Sequence, residues 1–142
     1  MEKYLKVKQA ITRKFPTIES NESMESVINL MAEANVSVLA VKTDDELAGM
    51  VTVSDVMQSL ANNYDLKETR VSTFMTECKI DRKNSKIQSC IQLDEDQDVI
   101  SAIKVMYEGG INHLLVTGEK NKPLGIVSSL DLVKLIASKG YA

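Results

Sequence analysis

The groups in this chain best placed to do chemistry are two carboxylates, each with a hydroxyl three residues ahead of it. Thr52 precedes Asp55 and Ser128 precedes Asp131; a Gly-apolar pair, Gly49-Met50 or Gly125-Ile126, leads into each, and an apolar helical run follows. A carboxylate at a helix start is favoured by the helix dipole and can accept hydrogen bonds from two vicinal hydroxyls, the donors that a ribose offers. The hydroxyls of Thr52 and Ser128 stand where a strand gives way to a helix, so with the N–H groups of the helix end they could meet an anion such as phosphate. Met50 and Ile126 lie two positions earlier on the same strand face, where they could pack on a flat base. The plainer alternative is that the Asp and hydroxyl residues only cap the helix.

Repetition of the whole set weighs against capping alone. The motif recurs 76 residues later, from Gly49 to Gly125, and the match extends well upstream. Val36–Val41 aligns with Ile111–Val116, Met24, Val27, Ile28 and Met31 align with Val99, Ala102, Ile103 and Met106, and Val7–Thr12 aligns with Val71–Thr76. A period longer than half the chain means two copies of one domain-like unit, not a solenoid of short repeats. The spacing predicts the same order in each copy. Pro16-Thr17-Ile18 is a short extended entry, and Asn21 and Asp96 are the expected N-caps of a helix in each copy. β-Branched runs at Val36–Val41 and Ile111–Val116 lead through polar turns to strands at Gly49–Val53 and Gly125–Val127. Closing helices are expected over Asp55–Asn62, with Val56, Met57 and Leu60 inward, and over Asp131–Ser138, with Leu132, Leu135 and Ile136 apolar. The division expected from this is 1–66 for the first repeat and 67–142 for the second. The fold class is α/β (α+β), two β-α-β-β-α repeats packed sheet to sheet by a pseudo-twofold axis, because one small sheet alone leaves a face and an edge uncovered.

Composition excludes several function classes. The 142 residues are 44% hydrophobic, enough for one good core or two small halves. A formal net charge of −3 argues against a general nucleic-acid binder, whose phosphate affinity comes from clustered Lys and Arg. No apolar stretch approaches a membrane span and Met1-Glu2-Lys3-Tyr4 is not the start of a secretory signal, so a soluble cytoplasmic protein is expected. Cys78 and Cys90 are too few for a disulfide framework, and with one His in the chain they fit no zinc pattern. An enzyme is not expected: there is no nucleophile-base pair, no glycine-rich phosphate loop, and the acidic runs Asp44-Asp45-Glu46 and Asp94-Glu95-Asp96 read as solvated turn and cap residues. The seven Met read as packing.

The β-α-β-β-α order, the doubled Gly-apolar-x-Ser/Thr-x-x-Asp motif and the Val-x-x-x-Met-Thr-like lead-in resemble a tandem pair of CBS domains, named after cystathionine β-synthase and called a Bateman module when paired. The resemblance covers nearly the whole chain and implies a stand-alone regulatory module that binds an adenosine derivative between the repeats. It implies that Asp131, Ser128 and Ile126 combine with Thr12, Pro16 and Ile18, and that Asp55, Thr52 and Met50 combine with Thr76 and Ile91. Ser37, Val38, Asn112 and His113 would line the space between. His113 falls where some members carry a basic residue near the ligand phosphate, whereas its counterpart is Val38, so the two sites should differ; the alternative for His113 is a strand histidine bonded to backbone. AMP, ADP, ATP and S-adenosylmethionine would all satisfy the ribose carboxylate, no obligatory cofactor is implied, and the sparse cations favour one phosphate or none. A homodimer and a regulated protein partner are also implied, with no nucleic acid or membrane. The competing reading is a ligand-free interaction or scaffold module.

Two departures from the family pattern stand out. Leu39-Ala40-Val41 and Leu114-Leu115-Val116 replace the frequent Leu-Pro-Val, a change compatible with packing. Thr12 to Ile18 spans 6 residues but Thr76 to Leu93 spans 17, so the second repeat carries 11 extra. This insertion, residues 77–89, reads as a hairpin with its turn near Asn84, either a solvated excursion or a docking surface. A turn there brings Cys78 and Cys90 opposite each other, as paired thiols or a disulfide.

Overall fold

Two amphipathic helices set the frame of the two repeats. In α1, Met24–Ala34, the residues Met24, Val27 and Met31 are buried at helical spacing; in α4, Val99–Gly109, Val99, Ala102 and Met106 take the same places. Ser23 and Asp98 cap them, accepting the backbone N–H of Ser26 at 3.1 Å and of Ser101 at 2.8 Å. The caps therefore fall two residues after Asn21 and Asp96. Both helices stop at a left-handed residue, Asn35 (φ 55°) and Gly110 (φ 64°), the conformation that closes a helix and that glycine adopts without strain.

The structure is a computed structural model that describes residues 5–11, 15–78, 80–81, 86–87 and 91–139, with side chains left aside at 80–81, 86–87 and 121. It is a mixed α/β chain of two compact units, Phe15–Cys90 and Met1–Lys14 with Ile91–Ala142. In the first unit β1 (Thr17–Glu19) runs parallel to β2 (Val38–Thr43), which pairs antiparallel with β3 (Glu46–Thr52). The helix α2 (Val53–Ala61) follows without a break, and after the short α3 (Val71–Phe74) the strand β4 (Thr76–Glu77) adds to the far side of β3. The second unit repeats this with β7 (Gln92–Asp94) parallel to β8 (His113–Thr117), β8 antiparallel to β9 (Pro123–Ser128), and α5 (Ser129–Lys139) closing the chain. Two short strands late in the first unit, β5 (Ile80–Asp81) and β6 (Lys86–Ile87), pair antiparallel with Ile80 opposite Ile87. This antiparallel pair falls within the segment expected as a hairpin, and residues 82–85, where the turn near Asn84 is expected, lie outside the described residues.

The division at 66/67 read from the sequence differs from these units, because the lead-in segments are exchanged. Val7 is fully buried in the core of the second repeat, with Leu93, Leu114, Val116, Val127 and Leu132 among its neighbours. Val71, its sequence counterpart, is fully buried in the first-repeat core with Met24, Leu39, Val41 and Val51. The hydrogen bonds explain the exchange. Helix α4 starts with a Val99 N–H that needs an acceptor and finds the Leu5 carbonyl at 2.8 Å, while Val7 N–H goes to the Gln97 carbonyl at 2.8 Å. In the other unit Met24 N–H goes to Thr69 at 2.9 Å and Val71 N–H to Glu22 at 2.8 Å. Each lead-in brings one buried valine, worth about 1.5–3 kcal/mol, together with the acceptor that the helix start requires.

Helices α2 and α5 differ in what they bury. Leu132 and Leu135 are buried and Ile136 packs against the core as expected, but on α2 only Val56 of the three apolar residues does so; Met57 is 60% and Leu60 47% exposed. Gly49 has a local reason to be glycine, since a Cβ there would collide with the backbone carbonyl of Thr76 on β4. Cys78 is 2% exposed and disulfide-bonded, whereas Cys90 lies outside the described residues.

Candidate functional site

The two hydroxyl–carboxylate pairs fold into capping boxes at strand-to-helix junctions. Thr52 is extended (φ −119°, ψ 169°) at the end of β3, and Asp55 sits in the first turn of α2. Asp55 Oδ2 accepts the Thr52 backbone N–H at 2.8 Å and its hydroxyl at 3.2 Å, while Asp55 N–H donates to Thr52 Oγ1 at 3.4 Å. In the second copy Asp131 Oδ2 accepts the Ser128 N–H at 2.8 Å and Asp131 N–H donates to Ser128 Oγ at 3.1 Å. Helix capping is therefore real in both copies, and each box spends one carboxylate oxygen, Oδ2, on it. A carboxylate has a second acceptor oxygen, and in both copies it belongs to a side chain that is only half-buried.

The neighbouring strand fixes what stands beside each box. Val38 pairs with Thr52, and His113 pairs with Ser128. One residue earlier, the Ser37 carbonyl accepts the Val53 N–H at 3.0 Å and the Asn112 carbonyl accepts the Ser129 N–H at 2.9 Å. The first helical N–H and that of the carboxylate residue are thus engaged in both copies, which narrows the anion site expected from a bare helix start. Ser129 also donates its hydroxyl to Asn112 Oδ1 at 3.2 Å. Sequence reasoning passed over Ser129, although it directly follows the motif hydroxyl.

Strand alternation sorts the remaining candidates by face. Val51, Leu39, Val41 and Ile18 point into the core beneath the helices, as do Val127, Leu114, Val116 and Leu93. Met50 and Ile126, 5% and 4% exposed, therefore occupy the opposite sheet face with their partners Ala40 and Leu115. Ile18, expected to line the ligand, stands in β1 opposite Val41 and is 8% exposed among the residues of the first-unit core. Thr76 is exposed on β4 directly opposite Met50, so the structure brings Thr76, Met50, Thr52 and Asp55 together around one sheet. The Pro16 carbonyl accepts the Ala40 N–H at 3.1 Å, and the Ile91 carbonyl accepts the Leu115 N–H at 3.2 Å, equivalent roles at the two sheet edges. Ile91 is 44% exposed. Thr12 lies outside the described residues. Among the described residues no group of three or more His, Cys, Asp or Glu is arranged to hold a metal. No described helix is long and apolar enough to cross a membrane.

A depression of about 390 Å³ lies on the α1 side of the first unit, lined by Glu19, Glu22 and Glu33 with Thr17 and Ser26. Three carboxylates make it a poor host for a phosphate-bearing ligand. The junctions, with one carboxylate each just past a strand that carries Met50 or Ile126, are the better candidates.

The CBS domain family model matches residues 7–62 and again residues 86–138. A CBS-domain protein from Burkholderia ambifaria MC40-6 superposes with a TM-score of 0.78 at 27% identity, covering 95% of this chain and 96% of that one. The CBS domain pair of protein MJ0100, solved in complex with 5′-methylthioadenosine and S-adenosyl-L-methionine, superposes with a TM-score of 0.76 at 23% identity, covering 96% of this chain and 98% of that one. By sequence the chain is 24% identical over 125 residues to the uncharacterized protein MJ1232 of Methanocaldococcus jannaschii, covering 87% of this chain and 36% of the relative. The chain spans about a third to a half of the length of the first curated relatives it matches.

Proposed function

This chain belongs to the CBS-domain family as a tandem pair, and we propose that it is a regulatory module whose ligand is an adenosine derivative with one phosphate or none. The observation that carries the reading is the pair of capping boxes: each anchors its Asp through Oδ2, at the end of a strand that carries Met50 or Ile126 on the sheet face away from the helices. In this reading Asp131 grips a ribose hydroxyl in one site and Asp55 in the other, with the base against Ile126 or Met50. Asn112 and His113 flank the first, Ser37, Val38 and Thr76 the second. Pro16 and Ile91 border the sheets, and Thr12 completes the hydroxyl set.

The phosphate count follows from the donors. Two of the helix-start N–H groups are already engaged at each junction, and His113 brings an imidazole to the second box where the first has Val38. Among the described residues assigned to the two sites none is a Lys or Arg that could meet the several negative charges of a triphosphate. The complex of MJ0100 with methylthioadenosine and S-adenosylmethionine supports an adenosine ligand without a phosphate chain. Occupancy regulates only by favouring one conformation through differential affinity. The role is regulatory rather than catalytic, in the cytoplasm, with a protein partner as the reader of the conformation.

The test is a thermal-shift and calorimetry panel of adenosine, AMP, ADP, ATP, methylthioadenosine and S-adenosylmethionine. Binding to the native state raises stability by about 2.7 kcal/mol at a hundredfold excess over Kd. AMP or an uncharged adenosine should bind tighter than ATP; ATP as the tightest ligand overturns the phosphate argument, and silence across the panel overturns the sensor reading. A homodimer through the helices is part of the proposal, supported by Val53, Met57 and Leu60, which lie 43–60% exposed along one face of α2. Sedimentation as a monomer at all concentrations would remove it. The second reading, a ligand-free assembly module, is favoured by the boxes being satisfied without ligand.

A further inference from the structure

Among the described residues Gln92 carries the clearest unexplained polar atom. Its Oε1 is buried and has no hydrogen-bond partner among the described residues. Buried acceptors are nearly always paired, and leaving one unpaired is costly, so an orphan marks either a tolerated defect or a place for something else.

Its position decides between them. Gln92 pairs with Leu115 on β8, and Leu115 pairs with Ile126 on β9. Leu93, the next residue, turns into the helix-side core, so Gln92 shares the opposite face with Leu115 and Ile126. The three form one row across the sheet, about 10 Å long at the usual spacing of strands. One end of the row is the residue assigned to the base, two positions before the Ser128 of the capping box; the other end is a carboxamide. The equivalent row in the first unit is Thr17, Ala40 and Met50, where the end residue is short and exposed. The long amide is therefore particular to the second unit.

We infer that Gln92 is a specificity residue that reads the base edge of the ligand held by Asp131 and Ser128, an inference that rests on the adenosine reading of that site. A carboxamide presents an acceptor beside a donor, the complement of adenine's exocyclic amine beside a ring nitrogen. The edge that separates the two bases is N6 beside N7: there hypoxanthine shows two acceptors, O6 and N7, and the amide oxygen finds no donor whichever way the amide turns. Among apolar neighbours such as Leu115 and Ile126, little water is at hand to compensate. Gln92 thus favours an adenine over a hypoxanthine ligand.

The experiment compares AMP with IMP by calorimetry on the full chain, as wild type and as Gln92→Met, which keeps length and removes both polar atoms. Wild type should bind AMP at least about tenfold tighter than IMP. Gln92→Met should bind AMP more weakly, with the AMP/IMP ratio falling to about one, and should melt no lower than wild type without ligand, because the orphan is gone. Gln92→Thr, which installs the residue of the first-unit row, repeats the test should the Met variant not fold. A ratio unchanged in the folded variant, or near one in wild type, overturns the role of Gln92 while leaving the sensor reading intact. Failure of wild type to bind AMP, adenosine or methylthioadenosine overturns both.

Discussion

Replacing Asp131 by Asn separates the two tasks that its carboxylate performs. In the folded chain Oδ2 accepts the Ser128 N–H at 2.8 Å, and the other oxygen is assigned to a ribose hydroxyl. The carboxamide of the Asp131→Asn variant would keep one carbonyl oxygen, and the Ser128 N–H, a donor, dictates that this oxygen faces the cap. The NH2 group then faces the ligand, and a donor replaces the acceptor there. The ribose loses one hydrogen bond to a charged group, about 1.5–3 kcal/mol, so AMP affinity at this site should fall about 10- to 150-fold. Stability should hardly change, because the capping bond survives. Asp131→Ala also removes the acceptor of the Ser128 N–H, while the Ser128 Oγ cap on the backbone of position 131 stays, and should cost about 1 kcal/mol, a few degrees in melting temperature for a chain of this size. The assays are calorimetry with AMP and thermal unfolding of the apo protein, run on both variants. Wild-type AMP affinity in a folded Asp131→Asn protein refutes the ribose assignment. An Asn variant that melts as low as the Ala variant refutes the division of labour between the two oxygens.

Two further perturbations probe the frame around the site. The Ser101 backbone N–H holds the Asp98 carboxyl below its ordinary range; burial opposes it, and the Ser101 hydroxyl, the Ile100 N–H and the Lys6 charge each add to the lowering. A lowered native pKa means that this stabilisation is complete above the carboxylate range of about pH 4 and is lost as pH falls through the native value. Asp98→Asn retains an N-cap but not the charge, so the gap in urea midpoint between wild type and variant should be constant at neutral pH and narrow in acid; a gap that instead widens in acid contradicts the assignment. Gly49→Ala sets a methyl against the Thr76 carbonyl, a backbone atom that cannot step aside without unpairing β4 from β3. It should destabilise by about 1–3 kcal/mol, and an unchanged urea midpoint would show that β4 yields freely.

The duplication makes the element order legible because both copies obey the same local rules. Met24, Val27 and Met31 repeat as Val99, Ala102 and Met106, and one helix read twice is more secure than one read once. The caps fall two residues beyond their expected places since Asn21 and Ser23, like Asp96 and Asp98, are equally good capping residues; the choice is made by which one the lead-in carbonyl of Thr69 or Leu5 can reach beside. The exchange of Val7 and Val71 is hidden for a related reason. Both lead-ins offer a valine at the same place, so the residue that each core needs does not say which lead-in supplies it. Met57 and Leu60 have core periodicity yet remain exposed, because periodicity reports a face without saying what covers it. At the site, the hydroxyl–carboxylate spacing is legible in full, whereas Ile18 and Gln92 are not: the side of the sheet each occupies depends on a register, Ile18 to Val41 and Gln92 to Leu115, that only the paired strand sets.

The capping boxes also bear on how occupancy would be transmitted. Thr52 ends β3 and Asp55 lies in the first turn of α2; Ser128 ends β9 and Asp131 lies in the first turn of α5. A ligand that draws on the second oxygen of either Asp pulls on the group that fixes the entry of that helix into the sheet. The pull competes with hydrogen bonds of 2.8 Å to Thr52 and Ser128, so small changes in carboxylate position are felt first at the helix N-terminus. On α2 that helix carries the exposed Val53, Met57 and Leu60, and on α5 the exposed Leu130 and Val133. A ligand-linked shift of these helices therefore moves the surfaces best suited to contact a partner. If the sensor reading holds, Asp131→Asn should lose the ligand's effect on association while leaving association of the apo protein as it was; an association unaffected by AMP in wild type would instead favour the assembly role.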